Sequence, residues 1–378
     1  MGKRKILFTS HIANFQKFNR PLMRMLRGTL KEPYKDLNMG GWIVDYASAG
    51  EEEIKDADHA FKVDFSRNPL RFDKHIKAHR QLRKIIAEGN YEVIHTHSPV
   101  GSIITRWAAK SAHKKGLKII YTCHGFQFYK GGPKRDWRLF YPVEKRMARV
   151  TDLLITINTE DYKLVKKQFG CPVKMIDGVG VETANFAKKY SKKEMLEARE
   201  KYGLDADDFV IVYLAEFRSV KNHQRLIESL EPIIRADRKV KLLCLGKGKL
   251  MDAARKQARR LGIEDNIVMP GYIRDQYAAL VAGCDLCVSA AYQEGLGLGV
   301  LECIASGLPI IIADTRGHRD IVNNDKKYLF DPLDTGEMTR KIRAAIRNPE
   351  KYHLKFDEKY SLRNSLSEMR KIYEDFLG

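Results

Sequence analysis

Short apolar runs alternate with amphipathic stretches along the first half of the chain. Five runs are predicted as buried strands, at Ile6–Thr9, Ile43–Ala47, Val93–His97, Lys118–Cys123 and Leu153–Ile157. Stretches with apolar residues at helical spacing separate some of them, at Phe18–Leu30, Phe72–Glu88 and Gly101–Lys115. Strands that alternate with helices indicate a parallel, doubly wound sheet whose strands are buried on both faces.

The same pattern begins again near residue 190. After a polar helix at Ser191–Tyr202, strands are predicted at Phe209–Leu214, Val240–Leu245, Ile267–Met269, Leu286–Val288 and Pro309–Ala313, with helices between them at Asn222–Ile234 and Met251–Leu261. The fold class is therefore α/β, with two Rossmann-like domains at 1–185 and 190–358. A C-terminal helix within 360–378 is expected to pack back on the first domain. Two such domains facing each other across a cleft suit an enzyme with two substrates, because ligands bind at strand carboxyl ends.

Charge and composition narrow the choice of partners and compartment. The net charge is +20, and residues 1–180, with 34 basic and 18 acidic side chains, hold +16 of it. The first half is therefore expected to face an anionic surface or ligand. The apolar run after the basic N-terminus is too short for a signal peptide, so we expect a cytoplasmic protein. The six cysteines are scattered, and the pair Cys284 and Cys287 is predicted to lie in a buried strand.

A glycine-rich segment between two glutamates is the strongest candidate site. Glycines alternate with other residues from Gly295 to Gly299, between Glu294 and Glu302, and a helix is expected to begin near Gly299 with Glu302 in its first turn. Free N–H groups at a helix N-terminus favour a diphosphate. Glu302 could accept hydrogen bonds from a ribose, and Glu294 from a sugar hydroxyl. The alternative is a plain loop in which Glu302 only favours the helix dipole.

The two glutamates, followed by Ala305-Ser306-Gly307-Leu308-Pro309, resemble the signature of the family 4 glycosyltransferases, and the resemblance extends over nearly the whole chain. Residues 121–131, Tyr-Thr-Cys-His-Gly-Phe-Gln-Phe-Tyr-Lys-Gly, are similar to bacterial enzymes of capsule, exopolysaccharide and lipopolysaccharide assembly. The resemblance implies the GT-B fold and a retaining, metal-independent glycosyltransferase without a cofactor. It also implies front-face attack, in which the leaving phosphate oxygen takes the acceptor's proton.

The resemblance assigns donor contacts in the second domain. Glu302 would hold the ribose, Glu294 the sugar, and the backbone of Gly295, Leu296, Gly297 and Leu298 the diphosphate and sugar. Lys221 occupies the family's phosphate-binding lysine position, while Glu216 stands at the usual arginine position and Arg218 is expected to substitute for it. Gly246 would lie beside the nucleotide, and Ile273 and Arg274 would flank the base. Gly299 stands where many relatives have proline, and we expect a modest effect.

In the first domain the resemblance points to the histidine after the fourth predicted strand, Lys118–Cys123. His124 would lie against the donor sugar, whereas His11, Phe15 and His97 are predicted on the acceptor side. A metal site at His95 and His97 lacks an evident third ligand. Two D-x-D matches, Asp56 to Asp58 and Asp205 to Asp207, do not follow buried strands, so no metal site is predicted.

Basic residues interleaved with aromatic ones suggest a membrane surface. They are expected on one helix with Lys17, Arg20, Arg24, Arg27 and Lys31, and around Trp137, Phe140 and Tyr141 with Lys134, Arg135, Arg138, Lys145, Arg146 and Arg149. Such surfaces rest on anionic bilayers without crossing them, so peripheral association with the inner face of the plasma membrane is predicted. No nucleic-acid motif is present, and no nucleic-acid partner is expected.

The resulting hypothesis is transfer of a hexose or N-acetylhexosamine from a nucleotide-sugar, with UDP as the expected carrier, to a lipid-linked glycan precursor in surface polysaccharide biosynthesis. The alternatives are a nucleotide-sugar 2-epimerase, a transferase to a soluble acceptor, and a non-catalytic, membrane-docking protein that binds sugar nucleotides.

Overall fold

The computed structural model describes residues 4–66, 68, 70–186 and 188–377. The chain forms two compact units, one of Met1–Gly180 with Arg363–Gly378 and one of Val181–Leu362. Inside the second unit, Val181 forms a parallel bridge with Ser361. Residues 181–185 and 360–362 therefore belong with the second unit, which differs from the expected boundaries by a few residues.

The first unit is built on a seven-stranded parallel sheet in the order β3-β2-β1-β4-β5-β6-β7. Its strands are β1 (Arg4–Thr9), β2 (Trp42–Ser48), β3 (His59–Lys62), β4 (Val93–His97), β5 (Lys118–Cys123), β6 (Leu153–Thr156) and β7 (Val173–Met175). The sequence pattern missed β3 and β7. Both are edge strands with largely exposed or half-buried residues, so they carry no continuous apolar run.

Five helices accompany this sheet, α1 (Gln16–Arg27), α2 (Phe72–Gly89), α3 (Pro99–His113), α4 (Lys134–Met147) and α5 (Thr159–Gln168). Helix α1 ends before the predicted Leu30, because Gly28 adopts a left-handed conformation with φ of 75° and caps it. The apolar sides of α2 and α3 cover one part of the sheet with Leu82, Ile86 and Ile104. Helix α3 also packs against α4.

The second unit contains a six-stranded parallel sheet in the order β10-β9-β8-β11-β12-β13. Its strands are β8 (Phe209–Leu214), β9 (Val240–Leu245), β10 (Ile267–Gly271), β11 (Leu286–Ser289), β12 (Ile310–Ala313) and β13 (Leu329–Phe330). The chain builds outward from β8 through β9 to β10 and then returns to β11 on the other side of β8. The gap between β8 and β11 is therefore the switch point at which open α/β sheets bind ligands.

The helices of the second unit are α6 (Thr183–Phe186), α7 (Lys192–Glu200), α8 (His223–Ala236), α9 (Met251–Arg260), α10 (Tyr277–Ala282), α11 (Leu298–Ala305), α12 (Arg316–Ile321) and α13 (Thr335–Arg347). Ser191 and Glu194 form a reciprocal capping box at the start of α7. The last helix, α14 (Leu362–Leu377), continues into the first unit, where the Tyr373 hydroxyl lies 2.6 Å from His95 Nδ1. None of the described helices combines the length and apolarity that a bilayer crossing requires.

Candidate active site

Two loops meet at the switch point of the second sheet, one after β8 and one after β11. The Tyr292 N–H donates to the Val220 carbonyl at 3.1 Å. Asn222, in a left-handed conformation with φ of 58°, donates its side-chain amide to the carbonyls of Ala290 at 3.1 Å and Pro332 at 2.8 Å. The turn that carries Lys221 is therefore held against the loop that carries Glu294.

The two charged groups at this point bond to each other. The Lys221 ammonium donates to the Glu294 carboxylate, and the side chains are 21% and 19% exposed. Burial by itself would raise the pKa of Glu294, but the nearby Lys221 charge and His318 outweigh it and lower the pKa below its ordinary range. Glu294 is thus an ionised, largely buried acceptor beside a cation, a pair suited to a sugar hydroxyl and a phosphate.

Glycines let the segment after Glu294 pack tightly against its neighbours. Gly297 adopts φ of 108° and caps α11. A Cβ on Gly299 would lie 2.8 Å from Leu214 Cβ, and one on Gly317 would lie 2.4 Å from Leu296 Cα. The first unpaired N–H groups of α11 therefore lie at the end of β8, where an anion would be held. A Cβ at Gly299 would force Leu214 to shift, while the modest effect expected of glycine in place of the relatives' proline stays a prediction.

Glu302 lies further into the helix than the sequence indicated. Helix α11 begins at Leu298, so Glu302 is its fifth residue and not part of the first turn. Its carboxylate accepts a hydrogen bond of 2.6 Å from the Tyr277 hydroxyl. Burial and the Glu302 charge raise the pKa of Tyr277, so the phenol keeps its proton as the donor. The Glu302 carboxylate is therefore oriented by α10, as a group that binds a diol must be.

Three side chains of this site were not found from the sequence, Tyr277 and two that follow β12. The buried Arg316 donates through Nε to the Glu294 carbonyl at 3.4 Å. The His318 Nδ1 lies 2.9 Å from the Ala313 carbonyl oxygen, an acceptor only, so Nδ1 carries the proton. A signal was available, because Asp314 to His318 directly follow a strand of the same parallel sheet and must reach the same edge.

The remaining donor candidates occupy the same edge in different ways. Arg218 is 55% exposed and lies 3.9 Å from Glu216, so it forms a loose surface pair. The Gly246 N–H donates to the Gly271 carbonyl at 3.0 Å, and a Cβ on Gly246 would meet the Ala215 carbonyl at 2.1 Å. That geometry gives Gly246 a structural reason to be glycine.

Ile273 and Arg274 follow the edge strand β10. Ile273 is half-buried, whereas Arg274 is exposed and its guanidinium carbon lies 5.8 Å from the centre of the Tyr272 ring. Both positions lie at the carboxyl edge of the sheet, as flanking a base would require, and their assigned contacts stay predictions.

The first unit gathers its candidates at the carboxyl ends of β1, β4 and β5. His97 Nδ1 lies 3.1 Å from His124 Nε2, and the Phe15 ring packs edge-on to His124 with centres 4.9 Å apart. The His11 N–H donates to the Ser98 hydroxyl at 3.2 Å, and its ring centre lies 6.4 Å from that of Phe15. All four residues therefore belong to one cluster. Burial lowers the pKa of His124 to about 4, so its ring is neutral near pH 7.

The acidic D-x-D segments lie away from the candidate site. Among the described residues one group of acidic side chains is close enough to hold a metal ion, Asp205, Asp207 and Asp208, and it precedes β8 at the opposite edge of the sheet. Asp56 instead bonds Arg20 and Arg24, and Asp58 bonds Arg27. Cys284 and Cys287 are free and buried, and Cys284 lies just before β11.

Comparison with known proteins identifies the family of this chain. The model of glycosyl transferases group 1 matches residues 194–360, and that of glycosyltransferase family 4 matches residues 41–177. The putative glycosyltransferase EpsD of Bacillus subtilis (strain 168) is 33% identical, and the alignment covers 99% of this chain and 97% of that protein. The chain belongs to the family 4 glycosyltransferases. It is an enzyme of the transferase class, with two Rossmann-like domains of the GT-B type.

Other relatives are more distant. The UDP-Gal:alpha-D-GlcNAc-diphosphoundecaprenol alpha-1,3-galactosyltransferase of Escherichia coli is 26% identical over 78% of this chain and 76% of its own. The crystal structure of Anabaena HepE in complex with UDP and glucose superimposes with a TM-score of 0.75 at 16% identity, covering 99% of this chain and 100% of that one. A sucrose-phosphate synthase from Thermosynechococcus elongatus gives a TM-score of 0.76 at 15% identity, with 99% of each chain covered. These two structures share the fold.

Proposed function

We propose that this glycosyltransferase moves a hexose or N-acetylhexosamine from a UDP-sugar to a lipid-linked glycan precursor in surface polysaccharide biosynthesis, with retention and without a metal ion. The observation that carries the proposal is the Lys221 to Glu294 pair at the switch point, beside the open N-terminus of α11. A cation, a helix N-terminus and an oriented carboxylate at Glu302 supply one partner each for a phosphate, a second phosphate and a ribose.

The choice of nucleotide and acceptor is supported by similar proteins. HepE structures are complexes with UDP and with UDP-glucose, and the Escherichia coli relative is named for a UDP-galactose donor and a diphosphoundecaprenol-linked acceptor. We infer from these names, and from the likeness to EpsD, that uridine nucleotides and lipid-linked glycans are the first ligands to test.

Metal-independent departure of the diphosphate requires protein cations. Lys221 lies at the switch point, Arg316 contacts the adjacent Glu294 backbone, and the N-terminus of α11 adds its dipole. In the proposed step the acceptor oxygen bonds to the anomeric carbon as the bond to the phosphate oxygen breaks on the same face. The acceptor's proton passes to that leaving oxygen, so atoms and charges balance. Glu294 and His124 are each proposed to bond a sugar hydroxyl.

The proposed membrane association rests on an exposed surface of the first unit, although not on α1, the basic helix that the sequence suggested. Three arginines of α1 are paired with Asp56 and Asp58, and Lys31 lies beyond the end of that helix. Helices α2, α3 and α4, of which α3 packs against both of the others, instead expose large apolar side chains, which are Phe72, Ile76, Trp107, Leu139 and Val143. Exposed basic residues accompany them on α2 and α4, among them Arg80, Arg83, Lys134, Arg135, Arg138, Lys145 and Arg146. We propose that this basic-apolar surface rests on an anionic bilayer.

Calorimetric titration with UDP, GDP and ADP, each in EDTA and in Mg²⁺, tests the donor site. We expect UDP to bind with an affinity that EDTA does not change. In Lys221→Met this affinity should fall by about 10- to 100-fold, because one charge-assisted contact is lost. Lys351→Ala, an exposed lysine of the same unit, is the matched control and should bind normally. Binding only with Mg²⁺, or none, would overturn the site assignment.

Product analysis tests the reaction. UDP-sugars are incubated with a short-chain lipid-diphosphate glycan or a soluble glycan, and the anomeric configuration of the product is read by NMR. An α-linked product on the lipid acceptor from an α-linked donor is expected. Conversion of the donor to its 2-epimer would identify the epimerase alternative, and binding without turnover would identify the non-catalytic one.

Vesicle sedimentation tests the surface. Binding to vesicles with phosphatidylglycerol should exceed binding to neutral vesicles, weaken with salt, and fall in Arg138→Glu with Arg146→Glu. Arg259→Glu with Arg260→Glu, on α9 of the other unit, is the control and should bind as the wild type does. Equal binding to both kinds of vesicle would contradict the membrane proposal.

A further inference from the structure

A second imidazole lies directly behind His124 in the first unit. His97 is 1% exposed, and its ring is stacked on Phe8 with centres 5.8 Å apart and lies 6.0 Å from the ring centre of Phe15. A side chain buried in this way does not present its ring to a substrate. Among the described residues, the hydrogen-bond contact of its ring is the 3.1 Å approach of Nδ1 to His124 Nε2.

The contact between the two rings contains a single proton. Burial, together with the neighbouring His95 and His124, holds the pKa of His97 well below its ordinary range, and burial lowers the pKa of His124 to about 4. Both rings are therefore neutral near pH 7. A neutral imidazole has one N–H and one lone pair, so one ring donates across this contact and the other accepts.

The far side of His97 decides which ring donates. Its Nε2 is buried and, within the part of the chain that the structure describes, has no hydrogen-bond partner. The neighbouring His95 offers none, because its own nitrogens lie 2.6 Å from the Tyr373 hydroxyl and 2.7 Å from the Thr122 hydroxyl. A buried N–H without an acceptor is rarer and costlier than an unused lone pair. The proton of His97 therefore belongs on Nδ1, which donates to His124 Nε2.

We propose that His97 is a positioning residue that fixes His124 as the tautomer with its proton on Nδ1. The lone pair of His124 is then occupied by His97, and the ring offers only an N–H at Nδ1. His124 acts as a hydrogen-bond donor to a substrate oxygen, and it is not a base that removes the acceptor's proton. This inference rests on the proposed role of His124 in transfer, and it specifies the kind of atom that His124 meets.

Nuclear magnetic resonance on histidine-labelled protein measures the tautomer without any substrate. Long-range proton–nitrogen correlations at pH 7.5 distinguish a protonated from an unprotonated ring nitrogen, and His124→Gln, His97→Asn and His353→Gln assign the signals. His124 should show a protonated Nδ1 and a bare Nε2. A protonated Nε2 on His124 would overturn the proposal, whatever the activity of the enzyme.

A pair of variants of similar size tests the consequence for transfer. His97→Asn keeps an N–H near the position of Nδ1, whereas His97→Leu has no donor. We expect kcat of the Asn variant within about 3-fold of wild type and kcat of the Leu variant lower by roughly 10- to 100-fold, the range for loss of a group that orients a catalytic histidine. KM for the donor should change little in both. Equal kcat in the two variants, or a loss confined to KM, would overturn the positioning role.

A control variant and the different possible failures of these experiments can be distinguished from one another. His353→Gln, an exposed residue of the second unit, should leave both the melting temperature and kcat unchanged. If the Leu variant does not fold, the tautomer of His124 measured in the wild-type protein still tests the proposal. If no sugar donor supports transfer, the proposed function fails while the tautomer measurement stands. If transfer proceeds with the reversed tautomer, only the present inference fails.

Discussion

Removal of the Lys221 charge should destabilise the second unit through Glu294. Lys221→Met keeps the length of the stem but leaves the carboxylate without its partner. Breaking a fully buried pair costs about 3–5 kcal/mol. Both side chains are about one-fifth exposed, so we discount this to roughly 2–3 kcal/mol. For a unit of this size, that loss lowers the melting temperature by about 4–12 °C.

The pH dependence has a definite sign. In the wild type the pKa of Glu294 is lowered, so the pair stabilises fully above the ordinary carboxyl pKa and is lost as pH falls through the folded pKa. Without Lys221, burial dominates and the folded pKa rises above its ordinary value. The carboxylate then destabilises most near neutral pH, and protonation relieves it. The difference in free energy of unfolding between variant and wild type should therefore shrink as pH falls from 7.5 towards 5.

Scanning calorimetry at pH 7.5, 6 and 5 measures this effect, with Glu294→Gln and the double variant completing a cycle. We expect a coupling energy of about 1–3 kcal/mol at pH 7.5, so the double variant loses less than the sum of the single ones. Lys326→Met, which removes a lysine that is 74% exposed and pairs with Asp314, is the control and should change stability by no more than about 1 kcal/mol. A difference that does not vary with pH, together with zero coupling, would refute the reasoning.

Three further predictions test other parts of the molecule. Glu302→Gln should weaken UDP binding by roughly 10-fold or more, because a charge-assisted contact to the ribose becomes neutral, and Tyr277→Phe should show a smaller loss of affinity. Unchanged UDP affinity in Glu302→Gln would contradict the ribose-binding role of Glu302. Gly299→Ala should destabilise the second unit by about 1–3 kcal/mol through overpacking against the end of β8, and an unaltered melting temperature would contradict the close approach. Arg106→Met should lower the free energy of unfolding of the first unit by about 3–5 kcal/mol, because Arg106 and Glu144 are both 0% exposed and the Glu144 carboxylate loses its 2.6 Å partner. Adding Glu144→Gln should restore much of this stability, whereas additive losses in the double variant would argue against a coupled pair.

Much of the fold could be predicted because its information is local. The central strands are short apolar runs such as Phe209–Leu214 and Ile310–Ala313, and their length and β-branched residues favour a strand over a helix without any knowledge of the partners. The edge strands β3 and β7 were missed because their stability comes from pairing with β2 and β6, which no local pattern records. Helix boundaries were shifted by two or three residues, at the end of α1, which Gly28 caps, and at the start of α3, where Pro99 is the first residue.

The candidate site shows the same division. The sequence indicated Glu294 and Glu302 through the glycine-rich segment between them, and Lys221 through the resemblance to the family. It could not show that Lys221 bonds Glu294, since 73 residues separate them and only the adjacency of β8 and β11 brings them together. The pairing of β12 with β11 likewise brings Arg316 to this site.

The amino-acid sequence was sufficient to predict the central strands, most helices, the family and the residue types at the strand ends. The folded chain was needed to show that Asp56 and Asp58 neutralise arginines of α1, and which ring nitrogen of His97 has a partner. The physical reason is that composition fixes the charges and hydrogen-bonding groups a chain carries, while their pKa values, tautomers and pairings depend on distances and burial that exist only after folding.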